Sequence, residues 1–428
     1  MKVKYKTKYK KITLENGLRI ISVPMENTRA VTVLIMVGAG TKYETKETNG
    51  ISHFLEHMFF KGTRKRQNTL EIAETLDRIG GIYNAFTSKE FTGYWAKVDS
   101  DYLDLALDWV SDILLNSKFE EKEINKERGV IIEEFNMYLD TPTAYIQDLW
   151  EKLLYGDQPA GWMTLGRKEN ILRFRRPDFL CYLNTHYSSK NTVICIAGNV
   201  NPEVVEKKVE RYFRKINTAA PCDKQKVIEV QKKPKSLLYF KETDQTHIAL
   251  GVRGYDLFHP QRFSQIILAK ILGGFMSSRL FISVREKKGL AYYIRTVSES
   301  TTDTGYLVTF AGVDNKNFQE AIKIILREYR RLKESKITAS ELKKAKDNLK
   351  GSLVLSLESS DAQASFYADQ ELLTQRILTP EEKIAKIDAV TREDIYRAAK
   401  EIFQPNKLNL AIIGPWRNKT KLNKLLKI

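Results

Sequence analysis

Two of the five histidines in this 428-residue chain stand four positions apart, in Ile51-Ser52-His53-Phe54-Leu55-Glu56-His57-Met58. The pattern is H-x-x-E-H. No Pro or Gly interrupts the stretch from Ile51 to Lys61, and Gly62 follows as a stop signal, so the spacing predicts a helix. On that helix His53 and His57 share a face, and Glu56 lies one step round from His57. Two imidazoles so placed suit one divalent metal, with a carboxylate beside the metal's open position. Zinc favours such nitrogen ligands, and a catalytic zinc takes three protein ligands and a water.

One protein ligand is then still to be found. A second helical stretch, from Glu120 to about Tyr138, carries Glu127-Arg128-Gly129-Val130-Ile131-Ile132-Glu133-Glu134. Residues seven apart lie nearly on one face, so Glu127 and Glu134 point the same way, while Glu133 lies about 100° round from Glu134. Spacing makes Glu134 and Glu127 a plausible ligand and supporting pair. It does not exclude a solvated acidic face, and it leaves the ligand open among the three glutamates.

The elements that must position these groups follow from pattern. Residues 8–25 read as two strands joined through Glu15-Asn16-Gly17, a hairpin signal. Val31 to Val37 is a third strand. Leu70 to Ile79 reads as a helix ending at Gly80-Gly81, followed by a strand pair over Ile82–Thr87 and Phe91–Val98. Helices are expected over Asp101–Leu115 and Pro177–His186, and a strand over Thr192–Ala197.

The second half repeats this order. Lys97-Val98-Asp99-Ser100 resembles Gly312-Val313-Asp314-Asn315, and Asn191-Thr192-Val193-Ile194 resembles Lys407-Leu408-Asn409-Leu410, at offsets close to 216 residues. The chain therefore reads as α+β, two tandem homologous domains, each a mostly antiparallel mixed sheet covered by helices. Residues 1–216 form the first domain, the polar segment 217–235 is the linker, and 236–428 form the second. Shifted into the second half, the H-x-x-E-H helix falls on Gln265-Ile266-Ile267-Leu268-Ala269, which has neither His nor Glu. The second domain is thus expected to be metal-free.

His53-Phe54-Leu55-Glu56-His57, followed after 76 intervening residues by Glu134 with Glu127 one heptad before it, resembles the pitrilysin-type inverzincin metallopeptidases. The resemblance covers nearly the whole chain. It implies one Zn2+ per chain held by His53, His57 and Glu134, with Glu56 as general base and Glu127 as a supporting carboxylate. It implies a substrate-pairing sheet edge at Asn84, Ala85 and Phe86, and a substrate-gripping second domain in which Arg285 and Tyr292 reach the substrate backbone. The first domain would then be catalytic. The implied activity is that of a zinc endopeptidase or oligopeptidase cutting peptides or unfolded segments inside a closed chamber. A homodimer is expected, or a heterodimer with a metal-free paralogue. The competing function is a non-catalytic partner or scaffold subunit.

Composition agrees with a folded, water-exposed protein: 42% of residues are hydrophobic and 29% charged. The formal charge of +17 could serve nucleic acid or a membrane surface, but the lysines are interleaved with acids along the chain and no nucleic-acid module is present. Neither nucleic acid nor membrane is an expected partner. No apolar run approaches the ~20 residues of a membrane span. The Lys-rich start leads into no apolar signal core, so a cytoplasmic protein is expected. Cys181, Cys195 and Cys222 are too few and too scattered for a disulfide framework; they are expected to be reduced, two of them in the core.

Overall fold

A computed structural model describes residues 9–418 and 425–426; the Lys-rich residues 1–8, read above for a targeting signal, lie outside them. The strands are β1 (Lys10–Thr13), β2 (Arg19–Pro24), β3 (Ala30–Val37), β4 (Ile82–Thr87), β5 (Thr92–Asp99), β6 (Thr192–Gly198), β7 (Lys235–Phe240), β8 (Gln245–Arg253), β9 (Ala291–Ser300), β10 (Gly305–Asp314) and β11 (Leu408–Gly414). The helices of the first half are α1 (Ile51–Met58), α2 (Thr69–Asp77), α3 (Leu103–Asn116), α4 (Glu121–Asp140), α5 (Pro142–Tyr155), α6 (Lys168–Arg173), α7 (Arg176–His186) and α8 (Pro202–Phe213). Those of the second half are α9 (Arg262–Gly273), α10 (Phe318–Glu334), α11 (Ala339–Ser356), α12 (Ser360–Thr374), α13 (Pro380–Ala389) and α14 (Arg392–Ile402).

Two mixed sheets result, ordered β1-β2-β6-β3-β5-β4 and β7-β11-β8-β10-β9. β2 runs parallel to β6 and β7 parallel to β11, and every other pairing is antiparallel. The second sheet repeats the first without a counterpart of β1. Thr192 opens β6 and Leu408 opens β11, the offset the sequence repeat carries.

The sheet of the first half is covered on both faces, and side-chain alternation shows it. Val31, Val33, Ile35 and Val37 of β3 join the core made with α1, α3 and α8, whereas Leu34 and Met36 face a second core with Ala364, Tyr367 and Ala368 of α12. That is why β3 reads as an almost unbroken apolar run. α12 is fastened by a 2.8 Å hydrogen bond between the Thr32 and Ser360 hydroxyls and a 2.7 Å ion pair between Lys97 and Asp361.

The sequence division at 217–235 separates the sheets but not the helices. One compact unit comprises residues 1–135, 163–225 and 354–381; the other comprises 136–162, 226–353 and 382–428. In the second unit α5 packs on β7, β8 and β11, as α12 does on β2, β3 and β6 in the first. Tyr145 meets Tyr239 edge-on at 5.0 Å, and the Tyr155 hydroxyl accepts from Thr304 at 3.1 Å. The units are interleaved rather than consecutive, because an amphipathic helix needs an apolar sheet face and not the one nearest in sequence.

One cysteine expectation is corrected. Only Cys195, in the middle of β6, is buried; Cys181 on the outer face of α7 and Cys222 in the polar 217–235 segment are exposed. All three are free thiols.

Candidate metal centre

α1 begins at Gly50, whose φ of 102° lies in the left-handed region that glycine adopts without strain. A Cβ there would also meet the Cα of Gly166 at 2.8 Å. The helix start has no side-chain cap from Gly50 itself. Instead the buried Glu44 carboxylate accepts from the backbone N–H groups of Gly50 and Ser52, each at 2.9 Å, and from the Asn49 amide at 2.9 Å. These donors satisfy free amides at the helix N-terminus, where a carboxylate also meets the favourable end of the dipole. Burial nonetheless pushes the Glu44 carboxyl up. At the other end of the run Gly62, at φ 126°, turns the chain away.

On this helix the His53 and His57 Nε2 atoms stand 3.3 Å apart. Glu134 Oε2, from α4, lies 3.5 Å from the first and 3.4 Å from the second. A tetrahedral ion with bonds of about 2.05 Å keeps its ligand atoms roughly 3.3–3.4 Å apart. The triangle therefore has the size a zinc ion requires. Among the described residues it is also the one cluster of three such groups that could hold a metal.

The electrostatics fit a cation. Burial, then the neighbouring His57, drives His53 down to about 4. Burial pulls His57 down too, but hydrogen bonds with Glu127 and Glu134 outweigh it and raise it to about 9. Glu134 is held below the usual carboxylate range, chiefly by its hydrogen bond with His57. Both carboxylates thus favour positive charge at this point, and a divalent ion there would compete with a proton for the His57 nitrogen.

Glu127 does not join the triangle. Its Oε1 is 2.9 Å from His57 Nδ1, and its Oε2 is 2.6 Å from Lys61 Nζ. With Nδ1–H donating to Glu127, the lone pair of His57 Nε2 points to the cluster. Those partners overcome burial and hold Glu127 low. Glu133 is exposed. Of the three glutamates, Glu134 is the one whose carboxylate stands beside both imidazole Nε2 atoms. Glu56 is half-buried; burial raises its carboxyl against a 2.6 Å hydrogen bond from the Thr87 hydroxyl.

β4 is an edge strand; among the described residues it pairs only with β5, which leaves one side of its backbone without a partner strand. Asn84 is exposed, and its Oδ1 accepts from the N–H of Ala85 at 2.8 Å. The Phe86 ring lies across Gly93 on β5 and meets Phe91 edge-on at 6.1 Å. In the second unit Arg285 and Tyr292 come together: the guanidinium sits 5.9 Å from the Tyr292 ring centre and 4.9 Å from that of Phe281. Tyr292 is 76% exposed on the edge strand β9. The helix aligned with α1 is α9, where Gln265 accepts from Tyr255 N–H at 2.8 Å and donates to Ser298 at 2.9 Å. It fastens a core where α1 carries His53 and His57.

Sequence reasoning did not assign Glu44, Lys61 or Thr87. Lys61 closes the apolar run after the motif, and its spacing from His57 was a usable signal. Glu44 and Thr87 reach α1 from a loop and a strand, which helical periodicity does not register.

A family model for Insulinase (Peptidase family M16) matches residues 19–167, and one for the Peptidase M16 inactive domain matches residues 173–349. The chain is 39% identical over 409 residues to the uncharacterized zinc protease YmxG of Bacillus subtilis, covering 96% of this chain and 99% of that protein. It is 32% identical over 418 residues to an uncharacterized zinc protease of Streptomyces coelicolor, covering 96% of this chain and 90% of the relative. A solved structure of a protease from Helicobacter pylori is similar, with a TM-score of 0.89 at 26% identity, covering 96% of this chain and 100% of that one. With matches that run through both sheets, the chain belongs to the pitrilysin-type M16 metallopeptidase family.

Proposed function

We propose that this chain is a zinc-dependent endopeptidase or oligopeptidase that hydrolyses peptides or unfolded protein segments, with one zinc per chain. The observation that carries the reading is the triangle of His53, His57 and Glu134, sized for zinc and backed by Glu127. Relatives named zinc proteases support the same class.

A bound zinc would supply Lewis-acid polarisation of the scissile carbonyl and acidification of water. Glu56 accepts the water's proton as the bond forms to the carbonyl carbon and delivers it to the leaving amine. Its burial favours a carboxyl that can take a proton and give it back. Glu127 orients His57. The free edge of β4, at Asn84, Ala85 and Phe86, takes an extended substrate by main-chain hydrogen bonds, which makes recognition largely independent of sequence. Arg285 and Tyr292 are proposed to hold the substrate backbone, with the phenol available to a developing oxyanion. A homodimer enclosing a reaction chamber, or pairing with a metal-free paralogue, belongs to the same reading. So does a cytoplasmic location; among the described residues no helix is long and apolar enough to cross a membrane.

The alternative is a non-catalytic partner subunit. The filled ligand set and the Glu56 base weigh against it. The test is incubation with a mixed peptide library, read by mass spectrometry, with chelator and then with zinc restored. Cleavage abolished by chelator and recovered with zinc is expected. No cleavage by zinc-loaded protein would move the assignment to the partner-subunit reading.

A further inference from the structure

We infer that Thr87 is a positioning residue for the base: its hydroxyl fixes the Glu56 carboxylate and joins it to the edge strand that takes the substrate. The inference rests on the peptidase reading above. Three observations carry it. First, Thr87 Oγ1 donates to Glu56 Oε2 at 2.6 Å, the short range of charge-assisted O–H···O bonds. Among the described residues Glu56 Oε1 has no hydrogen-bond partner, so Thr87 holds one oxygen and leaves the other free to take a proton. Second, Thr87 is the last residue of β4, an edge strand with one side unpaired among the described residues. Third, its backbone is held on one side by β5 and the residues that follow it are tied down. Thr87 pairs with Thr92 of β5, and the next residues are tied to the loop before α1 by Thr41 N–H to Ser88 O at 3.2 Å and Lys42 N–H to Lys89 O at 2.8 Å.

The hydroxyl therefore sits on a fixed frame rather than on a mobile turn. A carboxylate with a free torsion loses its alignment for proton transfer, and a hydrogen bond from a rigid strand restores it. Because the same strand offers its edge to the substrate, substrate and base are registered to one element. Thr87 touches neither the reacting atoms nor the metal triangle, so it acts through Glu56.

The test compares zinc-loaded wild type with Thr87→Val, which keeps the shape and removes the hydroxyl, and Thr87→Ser, which keeps the hydroxyl. The assay follows kcat and KM on a cleaved peptide, zinc affinity by chelator competition, and thermal unfolding. Thr87→Val is expected to lower kcat roughly tenfold or more, with KM, zinc affinity and unfolding temperature close to wild type; Thr87→Ser recovers most of kcat. Wild-type kcat in Thr87→Val overturns the inference. So does a loss in zinc affinity or unfolding temperature that accounts for the fall, or an equal fall in both variants. Should Thr87→Val not fold, Thr87→Ala is read by the same criteria. An inactive zinc-loaded wild type would instead count against the peptidase reading itself.

Discussion

At the scale of single residues, the third ligand decides whether the site is a metal centre. Glu134 and Glu133 are neighbours in sequence but about 100° apart on α4. Only Glu134 reaches the two imidazoles. Glu134→Gln removes the one carboxylate in the triangle and is expected to reduce bound zinc to well below one per chain in elemental analysis. Glu133→Gln is expected to leave zinc unchanged. The reverse pattern would reassign the ligand. His53, His57, Glu56 and the three candidate glutamates were all legible in the sequence, because periodicity fixes which residues share a helix face. Which glutamate faces inward was not, since that depends on how α4 is rotated against α1, and rotation is set by packing.

At the scale of elements, α1 is only eight residues long, too short to be stable by propensity alone. It is held by its buried apolar face, with Phe54, Leu55 and Met58 in the core, and by Glu44 at its start. Glu44→Ala leaves two buried backbone donors without their acceptor and takes from the Asn49 amide an acceptor it shares with Met163 O. The expected loss is on the order of 1–3 kcal/mol in unfolding free energy, with weaker zinc binding in a chelator titration because the ligand helix frays. Unchanged stability and zinc affinity would show that packing alone sets the helix. Strand pairs, the Gly80-Gly81 stop and the Asn16-Gly17 turn followed from local chemistry and were readable in advance. The loop-to-helix contact of Glu44 was not, because it spans six residues of irregular chain with no period to betray it.

At the scale of the whole chain, the duplication was legible as a recurring offset, and the five-stranded second sheet reproduces the strand order of the first apart from β1. The exchange of helices was not legible. α5 and α12 have apolar faces that would suit either sheet, and periodicity does not say which. The exchange has a consequence for stability. A fragment of residues 1–216 lacks α12, which leaves Leu34, Met36, Val193 and Cys195 without the cover of Ala364, Tyr367 and Ala368. Such a fragment is expected to aggregate or to lack a cooperative thermal transition by circular dichroism. A cooperative, monomeric 1–216 fragment would contradict the interleaved organisation.

The central claim is that His53, His57 and Glu134 hold zinc while Glu56 moves the proton. Glu56→Gln separates the two roles, since the amide keeps the shape and cannot act as a base. Zinc content and peptide hydrolysis measured on the same preparation test it directly. One zinc per chain with hydrolysis at least about 100-fold below wild type is predicted; undiminished hydrolysis in that zinc-loaded variant would contradict the account.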